Sequence, residues 1–523
     1  MRSHNKKWRR ALCIAATTAV LSATAAGPRF DISGFDVEGN TLLPPAEIAA
    51  VLAPFKGTGR DFDDVQRAVA ALQAAYAKRG FNLVRVALPE QELDHGAVRL
   101  RVIETRIGHV DVTGNRFFDS DNIRRSVPQL VEGEKPDIGR ISASLAQANE
   151  NPAKRTTLAL ATGAEGEVDA RLSVADERPW RLTLTADNTG EVPTGRTLVG
   201  LIYQNANVWG RDHVGSLQYS TTAEKPERVS VYGVGYHIPL YSLGDAIDLY
   251  ANYSDIDSGT VLAGNFELQL SGRGTIAGGR YNHAFARVGE FQSALAAGLE
   301  HKAFENGALL LGFELGNDIT VHPLSVTYSG SWKGALSDAA FMLGAIHNVP
   351  GGKNASDADF NNARLGARPA YNLVRYGATY GHTLPAQWQT HLGLLGQYSR
   401  DKLIPGEQFG AGGVASVRGF ENRDIAGDSG YSASAEIYTP DGCTRWVGAF
   451  CRALGFFDAG HVTRNDPLPG EPSHASIASI GLGLRASMGR NALLQLDYGY
   501  VLDGGFAAQR GDSKFNFRVS LTY

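Results

Sequence analysis

The chain has 523 residues, enough for two or more domains, and carries 50 Lys+Arg against 54 Asp+Glu. That near-neutral balance argues against a protein built around a basic stripe for nucleic acid. Glycine is abundant at 61, whereas cysteine and methionine are scarce at three each.

Residues 1–26 read as a secretory signal. Arg2, Lys6, Lys7, Arg9 and Arg10 make a basic start, residues 11–21 are apolar, and Ala23-Thr24-Ala25 offers a small-residue cleavage site. The apolar run is too short for an anchor, since a helical span takes roughly 20 residues. Cys13 leaves with this segment, so Cys443 and Cys451 remain. A close pair in a secreted chain suggests a small disulfide loop; two reduced thiols are the alternative. No later stretch has helical membrane length, which leaves a soluble periplasmic protein or a membrane β-barrel.

An internal repeat follows. Phe35-Asp36-Val37-Glu38-Gly39-Asn40 reappears as Val110-Asp111-Val112-Thr113-Gly114-Asn115. Each copy opens with a short strand and a Gly-Asn turn, continues through two helical patterns and closes with two strands. In the first copy, residues 27–104, Asp61 can cap a helix whose apolar stripe is Val65, Val69, Leu72 and Tyr76. Strands are expected at 81–87 and 97–104. In the second copy, residues 105–177, helices are expected near 120–127 and 137–149 and strands at 155–161 and 168–174. The order β-α-α-β-β with its Gly-Asn turn resembles a POTRA domain, the periplasmic module of outer-membrane protein transporters.

From residue 178 to 523 alternation replaces helical periodicity. Sixteen strand-like segments can be placed, from one near Trp180 to one near Lys514, with the sixth near Leu262. Each suits a tilted crossing of about 9–11 residues. Links after even-numbered segments are mostly short (209–212, 332–334, 384–387), and most after odd-numbered ones are longer, particularly later in the chain (304–317, 348–370, 401–429). Outer-membrane barrels have short periplasmic turns and longer outer loops. Trp180, Trp209, Trp332, Trp388 and Trp446 fall at the short-turn rim, where an interfacial aromatic belt belongs. In the last segment Phe515, Phe517, Val519, Leu521 and Tyr523 alternate with polar residues, one face for lipid and one for an aqueous lumen. A terminal aromatic here resembles the signal read by the barrel assembly machinery.

The long link 401–429 carries Val417-Arg418-Gly419-Phe420. Glycine lets the backbone turn sharply, and a guanidinium fork can grip a carboxylate at two points. A receiving carboxylate lies in Phe456-Phe457-Asp458-Ala459-Gly460. The contact requires the loop to fold back into the lumen. Glu436 shares a face with Ser432 and Ser434 and is expected nearby. Phe456 should share the face of Asp458, which is odd for an aqueous lumen.

Together these features resemble the two-partner secretion transporters, the TpsB family of hemolysin secretion/activation proteins (ShlB/FhaC/HecB type), within the superfamily that holds the BamA-type assembly factors. The resemblance covers nearly all of the mature chain. It implies an outer-membrane barrel with two periplasmic POTRA units and no enzymatic activity. It implies export of an unfolded, TpsA-like partner protein without ATP or cofactor. The loop bearing Arg418 would lie in the lumen and govern the pore. Some members also have an N-terminal plug helix and linker; here the first repeat strand begins near Phe30, so the folded-in loop is expected to be the main obstruction.

Competing readings are weaker. Gly427-Asp428-Ser429-Gly430 resembles the nucleophile turn of trypsin-like proteases, but no motif supplies the positioned His and Asp. Gly410-Ala411-Gly412-Gly413 lacks the Lys-Ser/Thr of a phosphate loop. No metal-ligand spacing of the HExxH kind occurs. A barrel assembly factor usually carries more POTRA units, and a passive porin has no need of them.

Overall fold

The computed structural model describes residues 29–92, 96–192, 194–255, 259–263, 266–270, 273–305, 309–310, 313–314, 318–444 and 448–523. The expected leader and Trp446 lie outside the described residues. The chain divides into two compact units after Thr105.

In the first unit Asp61 caps the helix Phe62–Lys78, α1. Its side chain accepts the Asp64 N–H at 3.0 Å, and the Asp64 carboxylate accepts the Asp61 N–H at 3.2 Å. Val65, Ala68, Leu72 and Tyr76 are buried on one stripe, with Val69 half-buried at its edge. The stripe packs on a sheet in which Gly34–Glu38 runs parallel to Ala97–Ile103, and Arg85–Ala87 antiparallel to it. The strand expected at 81–87 is therefore shorter than its sequence suggests. Gly80, at φ +96°, ends α1, and the N–H groups of Gly80 and Phe81 return to the carbonyls of Ala77 and Tyr76. That helix-ending turn takes up the start of the expected strand.

The second unit opens with the same arrangement. Arg106–Thr113 runs parallel to Glu167–Asp176, which pairs antiparallel with Lys154–Thr162. The helices are Ser120–Arg125, α2, and Ile138–Ala148, α3. The repeated Gly-Asn turn has one physical cause. Gly39 and Gly114 have φ of +83° and +84°, and a side chain on either would strike the carbonyl oxygen of Val102 or Val174 at 2.4 Å. Asn40 and Asn115 then bond the carbonyls of Leu43 and Phe118. Glu104 and Asp176 accept the N–H groups that follow each turn.

The rest closes into a barrel of sixteen antiparallel strands. They are β1 (Trp180–Asp187), β2 (Leu198–Val208), β3 (His213–Thr222), β4 (Val231–Leu240), β5 (Asp245–Ser254), β6 (Gly274–Ala284), β7 (Phe291–Phe304), β8 (Pro323–Lys333, prolonged by Ile319–Val321), β9 (Ser337–Asn348), β10 (Asn372–Thr383), β11 (Gln389–Tyr398), β12 (Ser429–Tyr438), β13 (Phe450–Thr463), β14 (His474–Met488), β15 (Ala492–Asp503) and β16 (Ser513–Thr522). β16 closes on β1 through Arg518↔Asp187 to Thr522↔Thr183.

The sixth strand differs from expectation. Gly259–Ala263 and Phe266–Leu270 pair only with each other, and the barrel strand is Gly274–Ala284. Its glycines hide it: a side chain on Gly278 would come within 2.8 Å of the Tyr250 ring. The alternating stretch before it, which reads more clearly as a strand, is a hairpin in the outer link.

Loop parity holds for most of the ring, the exception being the long link 439–449 at the short-turn end. Turns 209–212, 241–244, 334–336 and 489–491 lie at the end where the chain enters from the repeats. Links 349–371 and 399–428 lie at the other. Trp209, Trp332 and Trp388 are exposed at the first rim, and Trp180 lies 5.8 Å from Tyr523 there. On β16, Phe515 and Leu521 face outward, as does Tyr523 just after it, while Asn516 is buried inside.

The second repeat copy is fixed to that rim. Ala206 and Val214 of the barrel belong to the same core as Ile107, Ile123 and Leu172. Lys154 meets Asp212 with side chains 0% and 1% exposed, and the Tyr241 hydroxyl donates to Asp212 at 2.8 Å. Asn122 donates to the Gly210 carbonyl at 2.8 Å, and Asn151 to that of Ala206 at 2.7 Å. Burial pulls the Lys154 ammonium below its usual range, against the pull of Asp212. Lys154→Met would strand a buried carboxylate and should cost about 3–5 kcal/mol. Adding Asp212→Asn, which suits the φ of +62° there, should recover much of that loss. The check is the denaturant midpoint for protease cleavage within 106–177 in membranes; equal losses in the single and double variants would refute the pairing.

Candidate functional site: a folded-in loop and its buried arginine

Between β11 and β12 the chain leaves the wall and returns. The two legs of this loop pair with each other, Phe409–Ala411 against Ile425–Gly427. The loop touches β7 through Lys302, β10 through Arg375, β13 through Asp458 and β16 through Lys514. A segment reaching so many sectors of a closed ring can only lie inside it.

The tip carries Val417-Arg418-Gly419-Phe420, all buried. Val417 and Phe420 pack with Val462, Ile477 and Val501 of the wall. Arg418 donates from Nε to Asp458 Oδ2 at 2.7 Å and from Nη2 to Oδ1 at 2.8 Å, a bidentate fork. Its backbone N–H adds a third bond to Oδ2 at 3.1 Å. Nη1 lies 2.7 Å from Glu436 Oε1 and 3.5 Å from Asp497 Oδ1. The Asp458 side chain is 0% exposed. Arg485 reaches Asp497 at 2.8 Å, and the Tyr438 hydroxyl donates to Glu436 at 2.7 Å.

Phe456 has a clear place here. It shares the inner face with Asp458, and its ring centroid lies 3.6 Å from the guanidinium carbon. One face of the cation is covered by an aromatic ring while its edge is taken by carboxylates. Gly460, two residues on, faces the loop: a Cβ there would lie 2.9 Å from that of Ala411.

Other residues singled out in the sequence lie apart. Phe515 and Phe517 are on β16, in its outward row, and Tyr523 directly follows the strand. Cys443 and Cys451 are bonded across the turn joining β12 and β13, where Asp441 accepts the N–H groups of both, at 3.1 and 3.0 Å. Asp428 and Ser429 of the protease-like turn are otherwise engaged. Asp428 is gripped by Arg364 and also accepts the N–H of Asn465 at 2.7 Å. The Ser429 hydroxyl donates to the Ser399 carbonyl at 3.0 Å and accepts the Ser399 N–H at 2.9 Å.

Sequence reasoning missed Asp497, Arg485 and Gly499. The signal was available in β15, where Gln495, Asp497 and Gly499 alternate with Leu494, Leu496 and Tyr498. A carboxylate on the polar row of a barrel strand points at the lumen. Gly499 is required by proximity, since its Cβ would sit 2.8 Å from the Gly419 nitrogen.

Comparison with known proteins places these features in a group. A family model described as haemolysin secretion/activation protein ShlB/FhaC/HecB matches residues 166–486, and one described as POTRA domain, ShlB-type, matches residues 30–105. The outer membrane transporter CdiB of Escherichia coli is 24% identical over 466 residues, 85% of this chain and 75% of that protein. The hemolysin transporter protein ShlB of Serratia marcescens is 27% identical over 416 residues, 76% of this chain and 70% of that protein. The solved structure of CdiB from Escherichia coli superposes with a TM-score of 0.76 at 21% identity, covering 98% of this chain and 93% of that one. BamA from Haemophilus ducreyi, lacking POTRA domains 1–3, gives 0.50 at 15% identity, covering 94% and 100%.

The close fit at Gly499 is testable. Gly499→Val should expel the tip and leave every charge in place, at a cost of about 1–3 kcal/mol. Trypsin should then cut after Arg423 in folded protein, while Tyr498→Val, on the outward row, should cut no faster than the parent.

Proposed function

The chain belongs to the haemolysin secretion/activation protein family, and from that membership we infer that it exports one large partner protein across the outer membrane. It is an outer-membrane two-partner secretion transporter with its POTRA region in the periplasm. The BamA likeness is one of fold, so the assembly-factor reading has no observation of its own.

The reading of mechanism rests on one observation, the Arg418 fork on Asp458 inside the ring. An unfolded partner needs a continuous aqueous path, and the loop occupies it. Arg418, seated by Asp458, Glu436, Asp497 and Phe456, holds the tip in the path; releasing it opens the route. The POTRA units capture the partner. Among the described residues the sheet of the first unit has open edges: Gly34–Glu38 and Arg85–Ala87 each pair on one side, with Ala97–Ile103. An extended segment can add to such an edge through backbone hydrogen bonds. The outward row Phe515, Phe517 and Tyr523 meets lipid and presents the strand to the assembly machinery. No catalysis is assigned, and none is needed for passage of a chain through a pore.

The test compares culture medium and outer-membrane fractions from cells with the parent chain, without it, and with Arg418→Ala. Quantitative mass spectrometry should show one large protein lost from the medium without the chain and reduced with Arg418→Ala, at normal barrel abundance. Normal export by Arg418→Ala would remove the role assigned to the fork. A general fall in outer-membrane barrels without the chain would mean an assembly factor instead.

A further inference from the structure

The loop is held far from Arg418 as well. Glu407, whose side chain is 0% exposed, receives Lys302 of β7 at 3.0 Å and Arg375 of β10 at 3.4 Å. Gln397 of β11 donates to the Glu407 carbonyl at 2.9 Å. This anchor stands on a different sector of the wall from Asp458. Beside it, Leu403 and Ile404 are buried with Phe304, Ile319, Val321, Phe360 and Tyr371. On the returning leg Asp428, also fully buried, is held by Arg364 and by the N–H groups of Leu403 and Asn465. The outer parts of both legs therefore have an apolar core and two buried carboxylates with complete partners.

The tip is built differently. Gly412 and Gly413 take φ of +121° and +93°, and Arg423 takes +53°, so the backbone turns sharply on both sides of residues 414–422. Within it, Ser416 folds back on Gly412, its hydroxyl accepting the Gly412 N–H at 2.9 Å. Wall contacts of the tip centre on Arg418, Val417 and Phe420, with an exposed pair between Glu421 and Lys514 and a bond from Asn422 Nδ2 to the Thr189 carbonyl at 3.2 Å.

We propose that the loop is two mechanical parts: a base fixed to the wall by Glu407 and Asp428, and a tip, residues 412–423, that alone swings clear. Glu407 is the positioning residue of the base. The purpose of the motion rests on the export reading; the division itself does not. Breaking the Arg418 fork frees the tip about the Gly412-Gly413 and Arg423 turns. The base stays, because its anchors share no partner with the fork and sites so separated act additively. The pore thus opens by moving a short segment while the outer links keep their packing.

Single cysteines test this in the full-length protein in outer membranes, without cargo. Val417→Cys reports the tip and Ile404→Cys the base, both buried in the parent. A membrane-impermeant maleimide is the probe, and Cys443 and Cys451, being bonded, do not compete. Arg418→Ala should speed modification at Val417→Cys about tenfold or more and leave Ile404→Cys within about twofold, as expected when local openings are separate units. Glu407→Gln should do the reverse. That variant should fold, since Lys302 keeps Glu300 at 3.3 Å and Arg375 keeps Gln397 at 3.0 Å. Heat-modifiable migration of the barrel on gels verifies folding, and Glu407→Asp should give an intermediate rate at Ile404→Cys. Equal acceleration at both cysteines in Arg418→Ala would mean the loop moves as one body, and an unchanged Ile404→Cys rate in Glu407→Gln would remove Glu407 as the anchor. Either result overturns the division. Normal export by Arg418→Ala with the predicted labelling would instead spare the division and refute the export role of the fork.

Discussion

The tip of the folded-in loop and the wall facing it are arranged around one desolvated guanidinium. Arg418 lies among Asp458, Glu436 and Asp497 with an aromatic ring against its face. An ion taken from water loses several kcal/mol of hydration, and attraction in the interior returns this only when geometry is close to ideal. The demand propagates outward. The fork needs Asp458 on the inner row of β13, hence the register of β12 and β14 against it. The tip needs room, hence glycine at 460 and 499. Glu436 and Asp497 need partners of their own, which Tyr438 and Arg485 supply. A single misplaced strand would leave buried charge without a counterpart, so the wall and the loop specify each other.

Much of this could be read from sequence because barrels encode position in parity. Alternation in residues 515–523 tells lipid from lumen, and loop length tells one rim from the other, so Arg418 and Asp458 could be paired before any coordinates. The repeat was legible because a positive φ at Gly39 and Gly114 leaves few other residues possible. What escaped did so for physical reasons. Gly274–Ala284 is stabilised by ladder bonds and by space for Tyr250, neither of which leaves an apolar signature. Residues 81–84 have strand-like composition but are claimed by the end of α1. Glu407 and Arg364 are charged loop residues, and nothing local distinguishes them from solvated ones; only the return of the loop into the ring buries them.

Anchoring of the second repeat follows the same logic with another outcome. Lys154 and Asp212 are as desolvated as Arg418 and Asp458, and they too stand beside an apolar core, one that the second repeat shares with Ala206 and Val214 of the barrel. Apolar burial contributes about 25 cal/mol per Å² and does not depend on a counterpart of opposite charge. Here ion pair and apolar core act together, and the second repeat and the barrel form one body. Accordingly, the chain divides into compact units after Thr105 and not between the second repeat and the barrel.

The contrast between base and tip of the loop then has a thermodynamic sense. The base contributes Leu403 and Ile404 to an apolar cluster, and exposing them would cost free energy that water cannot return. The tip is held by the Arg418 fork together with Val417 and Phe420, which are buried against Val462, Ile477 and Val501. When a guanidinium and carboxylates separate into an aqueous lumen, hydration replaces most of what the pair loses, so a buried ion pair contributes little net stability compared with its demand for geometry. Such a contact defines the closed state sharply and resists opening only modestly. Water returns only the ionic part of the tip's hold, so the apolar contacts of Val417 and Phe420 are what release must still overcome, and they favour the tip's return to its seat.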